Sequence, residues 1–249
     1  MSNICLKVDN LSKRFFIRKE RLTTFGLLKH LASKGYGCRE FWALRDISFT
    51  LNRGERLAII GANGSGKTTL VRILSGIYSK TGGQVEFKCD PSVVFSFWIG
   101  LNMNLSVMDN IYLFGAVHGM DRNFLKSRVD AILEVAALKD FCFSPLKFLS
   151  MGQIQWLALT VFFEGLFELL IFDETLRFLD KSSAEKSMVY FDKIANSGKT
   201  LIAVSHDMEF IKKYCTSAIW LDNGCIRRQG EAAEVVAAYE QLSNNLQES

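Results

Sequence analysis

Residues 61–68 have the types and the spacing of a loop that binds phosphate groups. They fit the pattern G-x-x-x-x-G-K-[ST] and are, in order, Gly61, Ala62, Asn63, Gly64, Ser65, Gly66, Lys67 and Thr68. The glycines allow a tight loop whose backbone N–H groups can face phosphate oxygens. Lys67 would place a positive charge beside the outer phosphates, and Thr68 would offer a hydroxyl to Mg²⁺. The pattern therefore predicts a nucleoside triphosphate site.

The segments on either side of this loop are those that would hold it in place. Residues 57–60 form a short apolar run that is typical of a buried strand. Thr69 opens a run of residues, 69–74, that favours a helix, and the positive end of its dipole would point at the phosphates. A chance match to the loop pattern would not be expected to have a buried strand before it and a helix after it.

A pair of carboxylates follows a second apolar run, residues 169–172. Asp173 at the end of a buried strand could hold Mg²⁺, directly or through water. Glu174 is placed to orient or deprotonate an attacking water. An acidic pair alone could be an ordinary strand end, but the phosphate-binding pattern upstream favours the catalytic interpretation.

Two further segments could contact phosphate. Ser150, Gly152 and Gln153 fall where a helix would begin, and such a helix N-terminus is a second candidate anion site. His206 follows the apolar run 201–204 and could donate a hydrogen bond to a phosphate oxygen. Taken alone, His206 would more simply be a capping or core histidine.

Composition limits the class of protein. The chain has 249 residues, 49% of them hydrophobic, and a formal charge of +4. Residues 17–41 contain six Lys or Arg and two acidic residues, so this segment accounts for the whole positive charge excess. The rest of the chain has balanced charges, which argues against a broad nucleic-acid-binding surface. No apolar stretch is long enough to span a bilayer, and the N-terminus lacks a signal pattern, so we expect a cytosolic chain. The six scattered cysteines predict reduced, mostly buried thiols.

The pattern along the chain predicts an α/β fold. Strands are expected at 3–16, 43–51, 57–60, 169–172 and 201–204, with helical patterns over 105–147 and a helix from Glu231. Asn223-Gly224 predicts a hairpin turn between strands 218–221 and 225–228. Residues 17–41 form an insertion with apolar residues at helical spacing. It could be a solvated surface segment, or an amphipathic helix close to lipid headgroups or a membrane partner.

The order of these motifs resembles that of the ATP-binding-cassette family over nearly the whole chain. The resemblance implies a P-loop NTPase (RecA-like) core with a helical subdomain at about 97–160 and an N-terminal antiparallel β subdomain, all within one domain, 1–249. It implies ATP and Mg²⁺ as cofactors, and two copies facing head to tail. Ser150, Gly152 and Gln153 would then act on the partner's ATP, Asp180 would link the two sites, and His206 would contact its own γ-phosphate. Phe15 matches the aromatic that stacks on adenine, and Trp42 is a second candidate.

Within that family the chain is most similar to the ATPase subunits of polysaccharide exporters for O-antigen, capsule and teichoic acid. The stretches that carry this likeness are 41–46, 105–113 and 204–224. It implies ATP hydrolysis at the cytoplasmic face of the inner membrane, with an integral membrane permease subunit as partner. Some of these subunits carry an extra C-terminal carbohydrate-binding domain, which we do not expect in these 249 residues. The alternatives are a transporter for another substrate, a cassette ATPase acting on ribosomes or DNA, and an ATP-binding module with little turnover.

Four positions depart from the family pattern. Phe97 stands where many members have a glutamine that helps to bind Mg²⁺, and Met151 replaces a Gly or Ser beside the phosphate. Trp156 stands where many have an arginine, and residues 175–178 replace a stretch of small residues. Because Lys67 and the acidic pair are retained, we expect an active enzyme; slow turnover would be consistent with these departures.

Overall fold

The fold is that of a computed structural model, which describes residues 3–18, 38–89, 91–94, 100–165, 167–173, 191–192 and 195–247. The strands, in chain order, are β1 (Ile4–Arg18), β2 (Cys38–Asn52), β3 (Arg56–Ile60), β4 (Gly82–Phe87), β5 (Pro91–Val94), β6 (Leu169–Asp173), β7 (Thr200–Val204), β8 (Ser217–Asp222) and β9 (Cys225–Glu231). The helices are α1 (Lys67–Leu74), α2 (Val107–Val117), α3 (Arg122–Ala136), α4 (Met151–Glu164), α5 (Met208–Tyr214) and α6 (Ala232–Gln247). Short 3₁₀ turns lie at Lys139–Phe141 and Leu146–Phe148.

The strands form two sheets. A three-stranded antiparallel sheet has the order β2-β1-β4, and a six-stranded sheet has the order β5-β6-β7-β3-β8-β9. The larger sheet is parallel except for β9, which pairs antiparallel with β8. This arrangement confirms the predicted α/β class with an antiparallel β subdomain and a helical region, and it confirms the hairpin around Asn223-Gly224.

The central strands β3, β6 and β7 are buried on both faces of the large sheet, which explains why they are continuous apolar runs. In β3, Ala58 and Ile60 face the cluster that includes the packed sides of α2, α3 and α4. Leu57 and Ile59 face the opposite way, into a cluster that contains α1 and the inner residues of the antiparallel sheet. The phosphate-binding pattern therefore follows a strand fixed by two cores, so the start of the loop is held rigidly.

The structure also accounts for Trp156, which stands where family members often have an arginine. Its side chain is buried, and the indole Nε1–H donates to the carbonyl of Val135, 3.1 Å away. A buried indole needs a partner for its N–H, and the end of α3 supplies it. Trp156 therefore ties α4 to α3 as a core residue.

The strands of the antiparallel sheet are longer than predicted. Residues 17–18 and 38–41, which the sequence places in the basic insertion, belong to β1 and β2. Beyond Ser12, β2 is the only partner of β1 among the described strands, so residues 13–18 and 38–44 form a two-stranded ribbon. The helical spacing predicted inside the insertion falls between 19 and 37, outside the described residues.

The cysteine prediction is wrong for one pair. Cys5 and Cys89 form a disulfide, with Cα atoms 5.2 Å apart and a sequence separation of 84. The cause is tertiary, since the N–H of Lys88 donates to the carbonyl of Cys5 at 2.8 Å and brings the two chain segments together. Cys142, Cys215 and Cys225 are free thiols, as predicted, but of these three only Cys215 is buried. Within the described ranges, none of the helices combines the length and the apolar character required to cross a bilayer.

Candidate functional site

The loop from Gly61 to Gly66 joins the end of β3 to the start of α1 at Lys67. Two of its glycines are required by close backbone contacts. A Cβ on Gly61 would lie 2.2 Å from the carbonyl oxygen of Leu221, and Gly66, at φ +110°, would place one 2.7 Å from the carbonyl oxygen of Ala43. These contacts fix the loop against neighbouring strands and leave its other side open, as a phosphate-binding loop requires.

The side chain of Lys67 lies inside this loop and is only 5% exposed. Its Nζ donates to the carbonyls of Gly61 and Ala62 at 2.8 and 2.9 Å. A buried ammonium group needs such partners. A phosphate entering the loop would offer the same ammonium a full negative charge, which makes a stronger hydrogen bond than a neutral carbonyl.

Ser65 supplies a second sign that the loop is shaped for a ligand. Its side chain is buried, yet among the described residues its hydroxyl oxygen has no hydrogen-bond partner. Buried polar groups without partners are uncommon in folded proteins and call for an explanation. A phosphate oxygen in the loop would satisfy this hydroxyl.

A cavity of 330 Å³ opens beside the loop. One wall is the loop and the first turn of α1, and the other is β2; its lining is Phe41, Ala43, Asn63, Gly64, Gly66, Lys67, Thr68 and Thr69. The volume is within the usual range for small-molecule and cofactor sites. Thr68 is exposed and faces this cavity, so its hydroxyl is available to a cation that accompanies the phosphates.

The aromatic side chain that faces the cavity is that of Phe41, which sequence reasoning missed. Phe41 is 47% exposed, and it shares a face of β2 with Ala43, which also lines the cavity. Period-two alternation along the strand could have identified it once Ala43 was placed. Phe41 is therefore a candidate to stack on the base of a nucleotide whose phosphates lie in the loop.

The two aromatic residues predicted from the sequence have other contacts. Phe15 pairs with Phe41 across the ribbon, but its ring meets the ring of Tyr78 edge-on at 5.6 Å, and the Nζ of Lys13 lies 4.9 Å from its centroid. Trp42 points to the other face of β2, where the Arg14 guanidinium stands 5.3 Å from its ring. Neither lines the cavity. The stacking role of Phe15 stays a prediction, and Phe41 is the more accessible ring.

The ends of the parallel strands bring other predicted residues to the same edge of the sheet. Asp173 ends β6, and it pairs with Val204, the last residue of β7. His206, partly buried, lies two residues beyond that end, and β7 is hydrogen-bonded to β3. Ligands of open parallel sheets bind at the carboxyl ends of the strands. Glu174, Asp180 and Phe97 lie outside the described residues, so their predicted roles stay predictions.

Ser150 caps the N-terminus of α4. Its hydroxyl accepts the N–H of Gln153 at 3.3 Å, and the side-chain carbonyl of Gln153 accepts the N–H of Ser150 at 2.8 Å. This reciprocal capping box holds the predicted anion site in place, with Met151 56% exposed beside it. The lining of the cavity includes neither Ser150 nor Gly152 nor Gln153.

Magnesium fits the oxygen groups that surround the loop. Thr68, which carries a hydroxyl, lines the cavity, and the backbone of β6 ends at Asp173 at the same edge of the sheet. Hydroxyl, carboxylate and phosphate oxygens are the ligands that Mg²⁺ prefers, and it is usually bound by few protein groups together with substrate phosphates. Such a cation would neutralise phosphate charge and polarise the bond to be broken.

Comparison with known proteins agrees with this geometry. The chain is 33% identical to the teichoic acids export ATP-binding protein TagH of Lactococcus lactis over 97% of its length, and spans 52% of that protein. It is 34% identical to the O-antigen export system ATP-binding protein RfbB of Myxococcus xanthus over 79% of its length, and spans 45% of it. The chain thus spans about half the length of these two relatives.

Solved structures agree on the fold. An ATP-binding cassette solved as a dimer, in a post-hydrolysis state bound to ADP and phosphate, superposes with a TM-score of 0.69 over 91% of this chain and 98% of its own, at 21% identity. Residues 44–177, which run from β2 through the phosphate loop, the helical region and the end of β6, match the family described as ABC transporter. This nucleotide-binding chain therefore belongs to the ABC transporter family.

Proposed function

We propose that this chain is the ATP-hydrolysing subunit of an exporter that moves a lipid-linked polysaccharide across the cytoplasmic membrane. The supporting observation is that relatives named for teichoic acid and O-antigen export align with most of this chain, with the phosphate loop and its cavity intact. The same relatives favour a location at the cytoplasmic face of that membrane, bound to an integral membrane permease subunit.

In this proposal, catalysis depends on positioning and electrostatics. The ammonium of Lys67 exchanges its two carbonyl partners for the outer phosphates, and the hydroxyl of Ser65 gains its missing partner. Thr68 and Asp173 would hold Mg²⁺, Glu174 would orient and deprotonate the attacking water, and His206 would stabilise the γ-phosphate.

The site is completed by a second copy of the chain. Ser150 and Gly152 lie at a capped helix N-terminus but do not line their own cavity, so their phosphate-binding role requires another subunit. A head-to-tail pair would bring that terminus, with Gln153, to the partner's phosphates, and Asp180 would connect the two sites. The dimeric cassette of the same fold supports this arrangement.

The helical region offers a surface for the membrane subunit. Phe143 and Phe148 are 81% and 72% exposed, and Met103 and Leu105 are 36% and 38% exposed in the same part of the chain. Large apolar side chains exposed to this extent mark interaction sites when they occur together. They lie between 103 and 148, and we propose that the helical region at about 105–147 docks on the membrane subunit through them.

Glu174→Gln tests the catalytic assignment. With the membrane subunit present, the variant should bind ATP as the wild type does, form a stable dimer in ATP, and lose steady-state hydrolysis, because the amide cannot take the proton from water. Normal turnover would refute the role of Glu174. Loss of one defined surface glycan on deleting the gene, restored by the wild type only, tests the substrate class.

Phe143→Ala combined with Phe148→Ala tests the docking surface. The isolated variant should hydrolyse ATP at the wild-type basal rate and fail to copurify with the membrane subunit. Ile77→Ala is a matched control, because Ile77 is 54% exposed and lies outside the helical region. Copurification of the double variant at wild-type yield would contradict the proposal.

A further inference from the structure

The turn between β8 and β9 touches both walls of the nucleotide cavity without lining it. The N–H of Gly224 donates to the carbonyl of Ser65 in the phosphate loop at 3.0 Å. The carbonyl of Gly224 accepts the N–H of Arg45 in β2 at 2.8 Å. One residue therefore bridges the loop that would hold the phosphates and the strand that carries Phe41.

The contact is too close for any side chain. Gly224 has φ +78°, and a Cβ placed on it would lie 2.7 Å from the carbonyl oxygen of Ala43 and 3.3 Å from the Cα of Leu44. Those neighbours are backbone atoms of β2, which cannot turn aside as a flexible side chain can. A methyl group at this position must push β2 and the turn apart.

The same hairpin also supports the beginning of the loop. The carbonyl oxygen of Leu221 would lie 2.2 Å from a Cβ on Gly61, and a Cβ on Gly66 would lie 3.7 Å from the Cα of Gly224. The hairpin thus contacts the loop at both ends. Its own arm is braced by an ion pair between Asp222 and Arg227 at 3.1 Å.

We propose that Gly224 is a positioning residue for the nucleotide base, which sets the spacing between the phosphate loop and the aromatic ring of Phe41. The proposal rests on the nucleotide site described above and extends it to a residue that touches no ligand. Phosphate binding needs the loop alone, whereas base stacking needs the loop and β2 at a fixed separation. Disturbing Gly224 should therefore weaken binding of the base more than binding of the phosphates.

The test compares two ligands, ATP and inorganic tripolyphosphate, each titrated with Mg²⁺ into the full chain and its variants. For Gly224→Ala we expect ATP affinity to fall about tenfold, the scale of one lost base–aromatic contact. Tripolyphosphate affinity should change less than about twofold, since it makes no such contact. Gly119→Ala is the matched control, because Gly119 has φ +77° with open space around it, so it carries the same backbone strain without the collision.

A second pair of variants tests the bridge without adding a side chain to the turn. Arg45→Pro removes the N–H that donates to Gly224, whereas Arg45→Ala retains it, so only the proline variant should show the selective loss of ATP affinity. Equal losses for ATP and tripolyphosphate, or no loss in either Gly224→Ala or Arg45→Pro, would overturn the proposal. Failure of the wild type to bind ATP would instead overturn the nucleotide site itself.

Discussion

Phe41→Ala should weaken ATP binding far more than Phe15→Ala, although the family resemblance assigns stacking to Phe15. Phe41 faces the cavity with 47% of its surface exposed, so its truncation removes a ligand contact and little of the core. Stacking of a base on an aromatic ring is worth about 1–3 kcal/mol by alanine substitution. The expected loss of ATP affinity is therefore about 5-fold to 150-fold.

Phe15→Ala should act on stability instead. Its ring packs edge-on against Tyr78 and under the ammonium of Lys13. The aromatic pair is worth about 0.5–1.5 kcal/mol and the cation–π contact about 0.5–1 kcal/mol. We expect the free energy of unfolding to fall by about 1–2.5 kcal/mol, the sum of these two terms, with ATP affinity within about twofold of wild type.

Two measurements separate these expectations: titration with a fluorescent ATP analogue, and urea unfolding of each variant. Trp42→Ala is the control, since Trp42 lies on the other face of β2 against Arg14 and should leave ATP affinity unchanged. Phe41→Tyr should restore most of the affinity. The reasoning fails if Phe15→Ala loses ATP affinity while Phe41→Ala retains it.

Three further predictions concern stability and reactivity. Asn110→Leu should lower the free energy of unfolding by about 1–3 kcal/mol in urea titrations, because the fully buried amide oxygen accepts the N–H of Asn102 and leucine would leave that donor unsatisfied. The carbonyls of Asn102, Leu105 and Ser106, which also accept from the amide, each keep a second backbone donor. Unchanged stability would contradict this prediction. Reducing the disulfide between Cys5 and Cys89 with dithiothreitol should lower that free energy by about 2–4.5 kcal/mol, given the 84-residue separation, and the Cys5→Ser variant should show no response. Burial raises the pKa of the Cys215 thiol to about 12, so this thiol is protonated and unreactive at pH 8. Iodoacetamide at pH 8 should therefore label the exposed Cys225 in the native chain and Cys215 only after unfolding. Mass spectrometry of the labelled peptides measures both.

The sequence predicts all strands of the central sheet except β5, because the predicted ones carry a local signal. Residues 57–60, 169–172 and 201–204 are apolar throughout, and β3, β6 and β7 occupy those positions. The phosphate loop is likewise a local pattern, since its glycines and lysine all lie within residues 61–68. Strands and loops that are specified by neighbouring residues could therefore be predicted from the sequence alone.

The features that were missed arise from contacts between distant segments. The disulfide depends on the pairing of Lys88 with Cys5, and neither residue signals it locally. The direction of Phe41 depends on the register of β2, because a shift of one residue would turn Trp42 to the cavity instead. Gly224 has the sequence of a common hairpin turn, and its contact with Ser65 is visible only when β8 is placed beside β3 in the large sheet.

Ser150 shows how one group can serve both the fold and a proposed second subunit. In the capping box its oxygen accepts the N–H of Gln153, which uses a lone pair and leaves the hydroxyl proton available. A phosphate offers acceptors only, so the proton that capping leaves over is the group that a phosphate can bind. The cap also fixes the side chain at the positive end of α4, where a phosphate is favoured by the helix dipole. Ser150 can therefore stabilise the helix with an oxygen lone pair and bind a partner's nucleotide with its hydroxyl proton at the same time. This is why a residue that caps a helix can also lie at the proposed dimer interface.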